Sequence, residues 1–207
     1  MHAQPKIVGV AEPSQPAGAV IVLHGGAQRG DSRMQVSPTQ LSVVRMIPTA
    51  RAVARAGNGR LAVYRLLNSW RGWDHEHTPL DDAIWSLAQI RARHPDLPIG
   101  LVGHSLGGRA ALLAGAQPQV RSVVALNPWV YPTDTADLTG RRVLIVHGLR
   151  DKIAAPERAR TVAANLSLTA DLDFVTIPDG KHAMIRRGRE FDGRAAEFTA
   201  QALLHAR

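Results

Sequence analysis

Six short apolar runs rich in β-branched residues, at 19–23, 61–67, 99–102, 120–126, 143–146 and 172–177, alternate along this chain with longer stretches of helical periodicity. In the stretch after Pro79, Leu80, Ile84, Leu87 and Ile90 fall on one helical face, with Ala83 and Ala88 beside them. The runs themselves do not alternate with polar residues, so both faces of each strand must be covered. That is a property of parallel sheets packed between helices. The expectation is an α/β fold with a mostly parallel central sheet of about six to seven strands and helices on both faces. A further run at 7–10 is expected to add an antiparallel edge strand. The chain of 207 residues shows no repeat or linker-like tract, and 1–207 is read as a single domain around one core.

Local signals place the helices. Gly57, Asn58 and Gly59 are expected to close a helix over 38–56 in left-handed conformations. His94-Pro95 ends the helix that begins near Pro79. A helix over 106–116 follows the run at 99–102, and 190–206 reads as a final amphipathic helix carrying Phe191, Phe198, Leu203 and Leu204.

Composition excludes several chemistries. Cysteine is absent, which removes disulfides, thiolate metal sites and a cysteine nucleophile. The net charge of +8 rests on arginine, since only Lys6, Lys152 and Lys181 are lysines. The arginines are scattered and not interleaved with aromatics, so a solvated surface is expected and no nucleic-acid partner. The first residues lack a secretory pattern and no stretch is long and apolar enough to span a bilayer. A cytoplasmic protein without a membrane partner is the expectation.

In an open parallel sheet, ligands bind beyond the carboxyl ends of the strands. Four polar or glycine-rich segments fall there: 24–27, 103–107, 147–151 and the loop leading to His182. Ser105 lies in a Gly-x-Ser-x-Gly pattern between a strand and a helix. Such a turn is strained, needs small residues at 103 and 107, lifts the hydroxyl above the sheet, and aims the Leu106 N–H at a developing oxyanion. A serine needs a base, and the base an orienting acid. His182 in "PDGKHAM" and Asp151 in "HGLRD" follow in the order Ser, acid, His; Asp134 and Asp137 are reserve positions for the acid, and Asp179 is too close to His182 in the chain. The second oxyanion donor is expected from Gly26, with Ala27 as the alternative. His24 reads as a loop-organising residue at the edge of the pocket.

These motifs, "HGG" at 24–26, "GHSLGG" at 103–108, "HGLRD" at 147–151 and "GKHAM" at 180–184, resemble the α/β-hydrolase family, in particular its small lidless, dienelactone-hydrolase-like and esterase-like bacterial members. The resemblance implies Ser105, Asp151 and His182 as a triad. Two departures matter. Dienelactone hydrolases proper carry cysteine as nucleophile, and this chain has none. Between Leu126 and Arg142 there is no room for a helical cap, and the short N-terminus suggests that one of the family's first strands is missing. The implied function is a carboxylesterase-like serine hydrolase for small ester or thioester substrates, with no cofactor or metal. An acyltransferase using the same triad, or a non-catalytic binding module, are the alternatives.

Trp70, Trp73, Trp129, Tyr131 and Met184 are candidate pocket residues. Asp74, His75, Glu76 and His77 cluster as a rival metal site, though a polar loop entering a helix explains them as well. Arg109, one turn into the helix after Ser105, is expected on a solvated face, or facing an anionic substrate group.

Overall fold

The computed structural model describes residues 3–27 and 34–205. Its elements run β1 Lys6–Ala11, β2 Gly18–Leu23, α1 Leu41–Val44, α2 Met46–Ala56, β3 Leu61–Leu67, α3 Thr78–Arg93, β4 Ile99–His104, α4 Leu106–Ala114, β5 Val120–Leu126, β6 Arg142–Gly148, α5 Pro156–Leu166, β7 Asp171–Ile177 and α6 Gly188–Leu204. The strands form one seven-stranded sheet in the order β1-β3-β2-β4-β5-β6-β7. Only β1 is antiparallel, paired with β3, and the remaining pairs are parallel.

The central apolar runs have the meaning expected of them, whereas the edge strand β7 is only partly covered, with Asp171 and Asp173 exposed. Every residue of β2 and of β4 is buried. Ala19, Ile21 and Leu23 face the core beneath α3, α4 and α5 with Leu87, Ile90, Ala111 and Val162. Val20 and Val22 face the opposite core, shared by α2 and α6 with Val53, Phe191 and Leu203. Each fully buried aliphatic or aromatic side chain contributes roughly 1.5–3 kcal/mol, and the two cores hold β2 and β4 at the centre with their carboxyl ends open to one edge of the molecule.

Two local expectations are corrected. The helix over 38–56 is divided, with a turn at Arg45 between α1 and α2. Pro48 is the cause: it has no N–H to offer the Val44 carbonyl, and its ring crowds that oxygen. At the end of α2, Gly57 is right-handed with φ −68°, and the left-handed residues are Asn58 (φ 45°) and Gly59 (φ 72°). Among the described residues no helix is long and apolar enough to cross a membrane.

Gly193 lies inside α6 with open space where a Cβ would stand. Gly193→Ala should therefore raise stability by about 1 kcal/mol through helix propensity. A urea midpoint that fails to rise would contradict this placement.

Candidate active site

β4 hands the chain to α4 through a single residue, Ser105, whose backbone sits at φ 56°, ψ −120°. The turn is tight enough that a side chain at either flanking glycine would strike backbone. A Cβ on Gly103 would run into the Gly107 carbonyl, and one on Gly107 would stand 2.6 Å from the Leu23 and His24 carbonyl oxygens. Three hydrogen bonds hold the conformation: Ser105 N–H donates to Leu126 O (3.0 Å), while its carbonyl accepts from the N–H groups of Arg109 (3.1 Å) and Trp129 (3.1 Å).

The loop after β7 brings His182 over this turn. Its Nε2 lies 3.0 Å from Ser105 Oγ and its Nδ1 2.8 Å from Asp151 Oδ2. The other carboxylate oxygen of Asp151 accepts the N–H groups of Ile153 (2.8 Å) and Ala154 (2.9 Å). Burial pushes the Asp151 carboxyl up, but the hydrogen bonds from His182, Ala154 and Ile153 outweigh it and hold the group below the usual carboxylate range. With Nδ1–H donating to Asp151, Nε2 is the lone pair that faces the serine hydroxyl.

A cavity of about 790 Å³ opens over Ser105 at the carboxyl ends of the strands. Gly26, Ala27 and Leu106 all line it, and among the described residues none of their N–H groups donates to a backbone acceptor. Trp73 and Trp129 form part of its wall.

Residues 18–155 match the profile of the α/β-hydrolase fold. The chain belongs to the α/β-hydrolase family. Among solved structures, it is similar to a lidless α/β serine hydrolase from Xanthomonas campestris, at 20% identity and a TM-score of 0.70 over 96% of this chain and 89% of that one. A serine hydrolase homologue from Coxiella burnetii gives 18% identity and 0.69 over 93% and 89%. A dienelactone hydrolase from Anabaena variabilis gives 19% and 0.65 over 98% of both chains. Comparison with curated protein sequences finds no match. The connection from β5 to β6, where a cap could be inserted, contains no helix.

Four predicted pocket residues of this α/β-hydrolase lie elsewhere. His24 is buried beneath the loop after β2, where its Nε2 accepts the Asn68 N–H at 3.2 Å, which leaves it a loop-organising role. Trp70 is held in an isolated bridge with Gln35, and the left-handed Gly72 (φ 79°) then turns the chain so that Trp73 reaches the cavity. Tyr131 lies outside the cavity, edge-on to Trp129 at 5.0 Å. Met184 is fully buried in the α2–α6 core.

Arg109 is not on a solvated face. It is 6% exposed, its Nη2 pairs with Asp134 at 2.7 Å, and its guanidinium lies 4.1 Å from the Trp73 ring centre and 4.7 Å from that of Tyr131. The aromatic faces take the place of hydrogen-bond partners for Nε and Nη1, and Arg109 props Trp73 from behind. This pairing also occupies Asp134, while Asp137 accepts from Thr139 and Asp179 pairs with Arg150 and Arg187. In the 74–77 segment, Asp74 accepts the Thr78 N–H (2.8 Å) and hydroxyl (2.5 Å) at the start of α3. Among the described residues no group of three or more His, Asp or Glu side chains is placed to hold a metal.

Sequence reasoning missed the residues that hold the histidine loop. Asn127 Nδ2 donates to the carbonyls of Lys181 (3.0 Å) and His182 (3.2 Å), while its Oδ1 accepts the Gly148 N–H (2.7 Å). His104 Nε2 lies 2.8 Å from the same His182 carbonyl. Arg45 reaches the carbonyls of Ala183 (3.0 Å) and Met184 (3.3 Å) and pairs with Asp192. The signal for Asn127 was its place at the end of β5 ahead of a proline; Arg45 is 138 positions from its partner and left none.

Burial keeps both His24 and His104 neutral, with pKa values lowered to about 4 and about 3; at His104 the neighbouring His182 and Arg45 side chains add to the effect. Their folded values lie below the unfolded value of about 6.5, so the unfolded chain binds more protons in that window. Stability is full above about pH 6.5 and falls as pH drops toward 4. Each histidine should cost about 2 kcal/mol at pH 5 relative to pH 8. Urea unfolding at the two pH values reads this directly, and equal stabilities would contradict neutral burial.

Proposed function

We propose that the protein is a serine hydrolase that cleaves small carboxylic esters or thioesters through an acyl-enzyme. The observation that carries this reading is the row from Ser105 Oγ through His182 to Asp151, at 3.0 Å and 2.8 Å, beside backbone amides that line the same cavity.

Ser105 attacks the substrate carbonyl as His182 Nε2 takes its proton. Asp151, ionised because its folded environment lowers its pKa, holds the imidazole and stabilises the imidazolium. The oxyanion is met by the Leu106 N–H at the start of α4 and by the Gly26 or Ala27 N–H after β2. The tetrahedral species expels the alcohol or thiol, which leaves with the proton from His182. Water then gives a proton to His182 and its oxygen to the acyl carbon; the acid departs and Ser105 recovers its proton. An uncapped mouth admits that water, which favours hydrolysis over transfer to another acceptor.

A fluorophosphonate probe should label the parent protein and leave Ser105→Ala unlabelled; equal labelling, or none in the parent, would overturn the reading. Asp151→Asn should lower kcat on p-nitrophenyl acetate by about four orders of magnitude with the fold intact. Full activity in that variant would take the orienting role away from Asp151. Asn127 has φ 42°, so Asn127→Gly removes its side chain without backbone strain. The freed histidine loop should lower kcat by about tenfold or more, with KM less affected; a change confined to KM would assign Asn127 to substrate binding instead.

A further inference from the structure

Leu41, Val44, Ile153 and Ile185 are large apolar residues that face solvent, at 84%, 41%, 65% and 83% exposure. All four line the mouth of the cavity over Ser105. They come from three separate segments: α1, the loop that follows Asp151, and the loop that follows His182. Single exposed apolar residues are ordinary, whereas several converging around one opening mark a contact surface.

The same loops are basic. Residues 150–153 and 179–189 carry Arg150, Lys152, Lys181, Arg186, Arg187 and Arg189 against Asp151 and Asp179. Asp151 is turned inward onto His182, and Asp179 is shared by Arg150 and Arg187. Lys152, Lys181, Arg186 and Arg189 are exposed and, among the described residues, have no carboxylate within ion-pair distance.

We propose that the mouth of the cavity is a docking face for an anionic phospholipid bilayer, on which the apolar ring enters the acyl boundary while the surrounding cations meet the headgroups. An apolar partner alone would account for the ring but not for the exposed cations in the same loops; a negatively charged lipid surface complements both. Such docking needs no membrane-spanning segment. The inference rests on the proposed function for its purpose: a docked mouth would meet small esters that partition into the bilayer surface and pass them to Ser105.

The test is sedimentation of the full chain with vesicles of phosphatidylcholine alone or mixed with phosphatidylglycerol. The parent should bind the mixed vesicles at least tenfold more tightly, and added salt should weaken that binding. Lys152→Gln with Arg186→Gln should weaken it about thirty-fold while p-nitrophenyl acetate is hydrolysed at the parent rate. Leu41→Ser with Ile185→Ser should reduce binding to both vesicle types. Equal binding to the two vesicle types, or none, would overturn the proposal. So would a dimer of the free protein that Ile185→Ser dissolves, because the ring would then be a seam between copies. A parent that cleaves esters yet ignores vesicles removes the docking alone; one that binds mixed vesicles but takes no fluorophosphonate removes the hydrolase reading alone.

Discussion

The backbone of Ser105 is the constraint around which the rest of the molecule is arranged. A non-glycine residue at φ 56°, ψ −120° costs on the order of 1–3 kcal/mol and persists only where its surroundings over-determine it. Here they do so from three sides. β4 is buried at every position, α4 packs back on the sheet through its glycines, and the neighbouring strand β5 supplies the carbonyl that takes the Ser105 N–H. Gly25 completes the enclosure, because a Cβ there would stand 2.8 Å from Ser105 Cβ. The loop after β2 can therefore pass directly over the turn, which is what brings its amides to the same cavity.

The histidine needs a different kind of support, since it stands on a loop at the far side of the sheet. Its own carbonyl is the anchor. Asn127 and His104 both reach that one oxygen, from the ends of β5 and β4, so the loop is tied to the two strands that also place Ser105. Asn127 holds Gly148 through its other end and thereby joins the loop of the acid to the loop of the base. Arg45, in the turn between α1 and α2, adds a further tie and pairs with the buried Asp192 on α6. Burial above all keeps His104 neutral, and its ring lies 5.0 Å from that of His182.

The sheet was legible because its signal is local: unbroken apolar runs lie on the observed strands to within a residue or two, and the glycine spacing of 103–107 follows from sterics that operate inside five residues. That the segments around 105, 151 and 182 meet at one end of the sheet follows from strand polarity, which places every βα loop on the same rim. What escaped was decided by contacts distant in the chain. Arg109 looked solvated because nothing local announces that Asp134 and three aromatic rings close over it. Trp73 lines the cavity and Trp70 does not; Trp70 is taken up in a bridge with the distant Gln35. Met184 reads as a loop residue, yet its left-handed backbone (φ 55°) tucks it into the core.

The short, helix-free passage from β5 to β6 bears on timing. An enclosed enzyme must open before it can start again, and that movement often governs its pace. With no helix in that passage to swing aside, the slow event in the proposed cycle falls on bond-making itself. If attack by water on the ester-linked serine is the slower half, the first equivalent of alcohol would emerge as a rapid burst ahead of the steady rate.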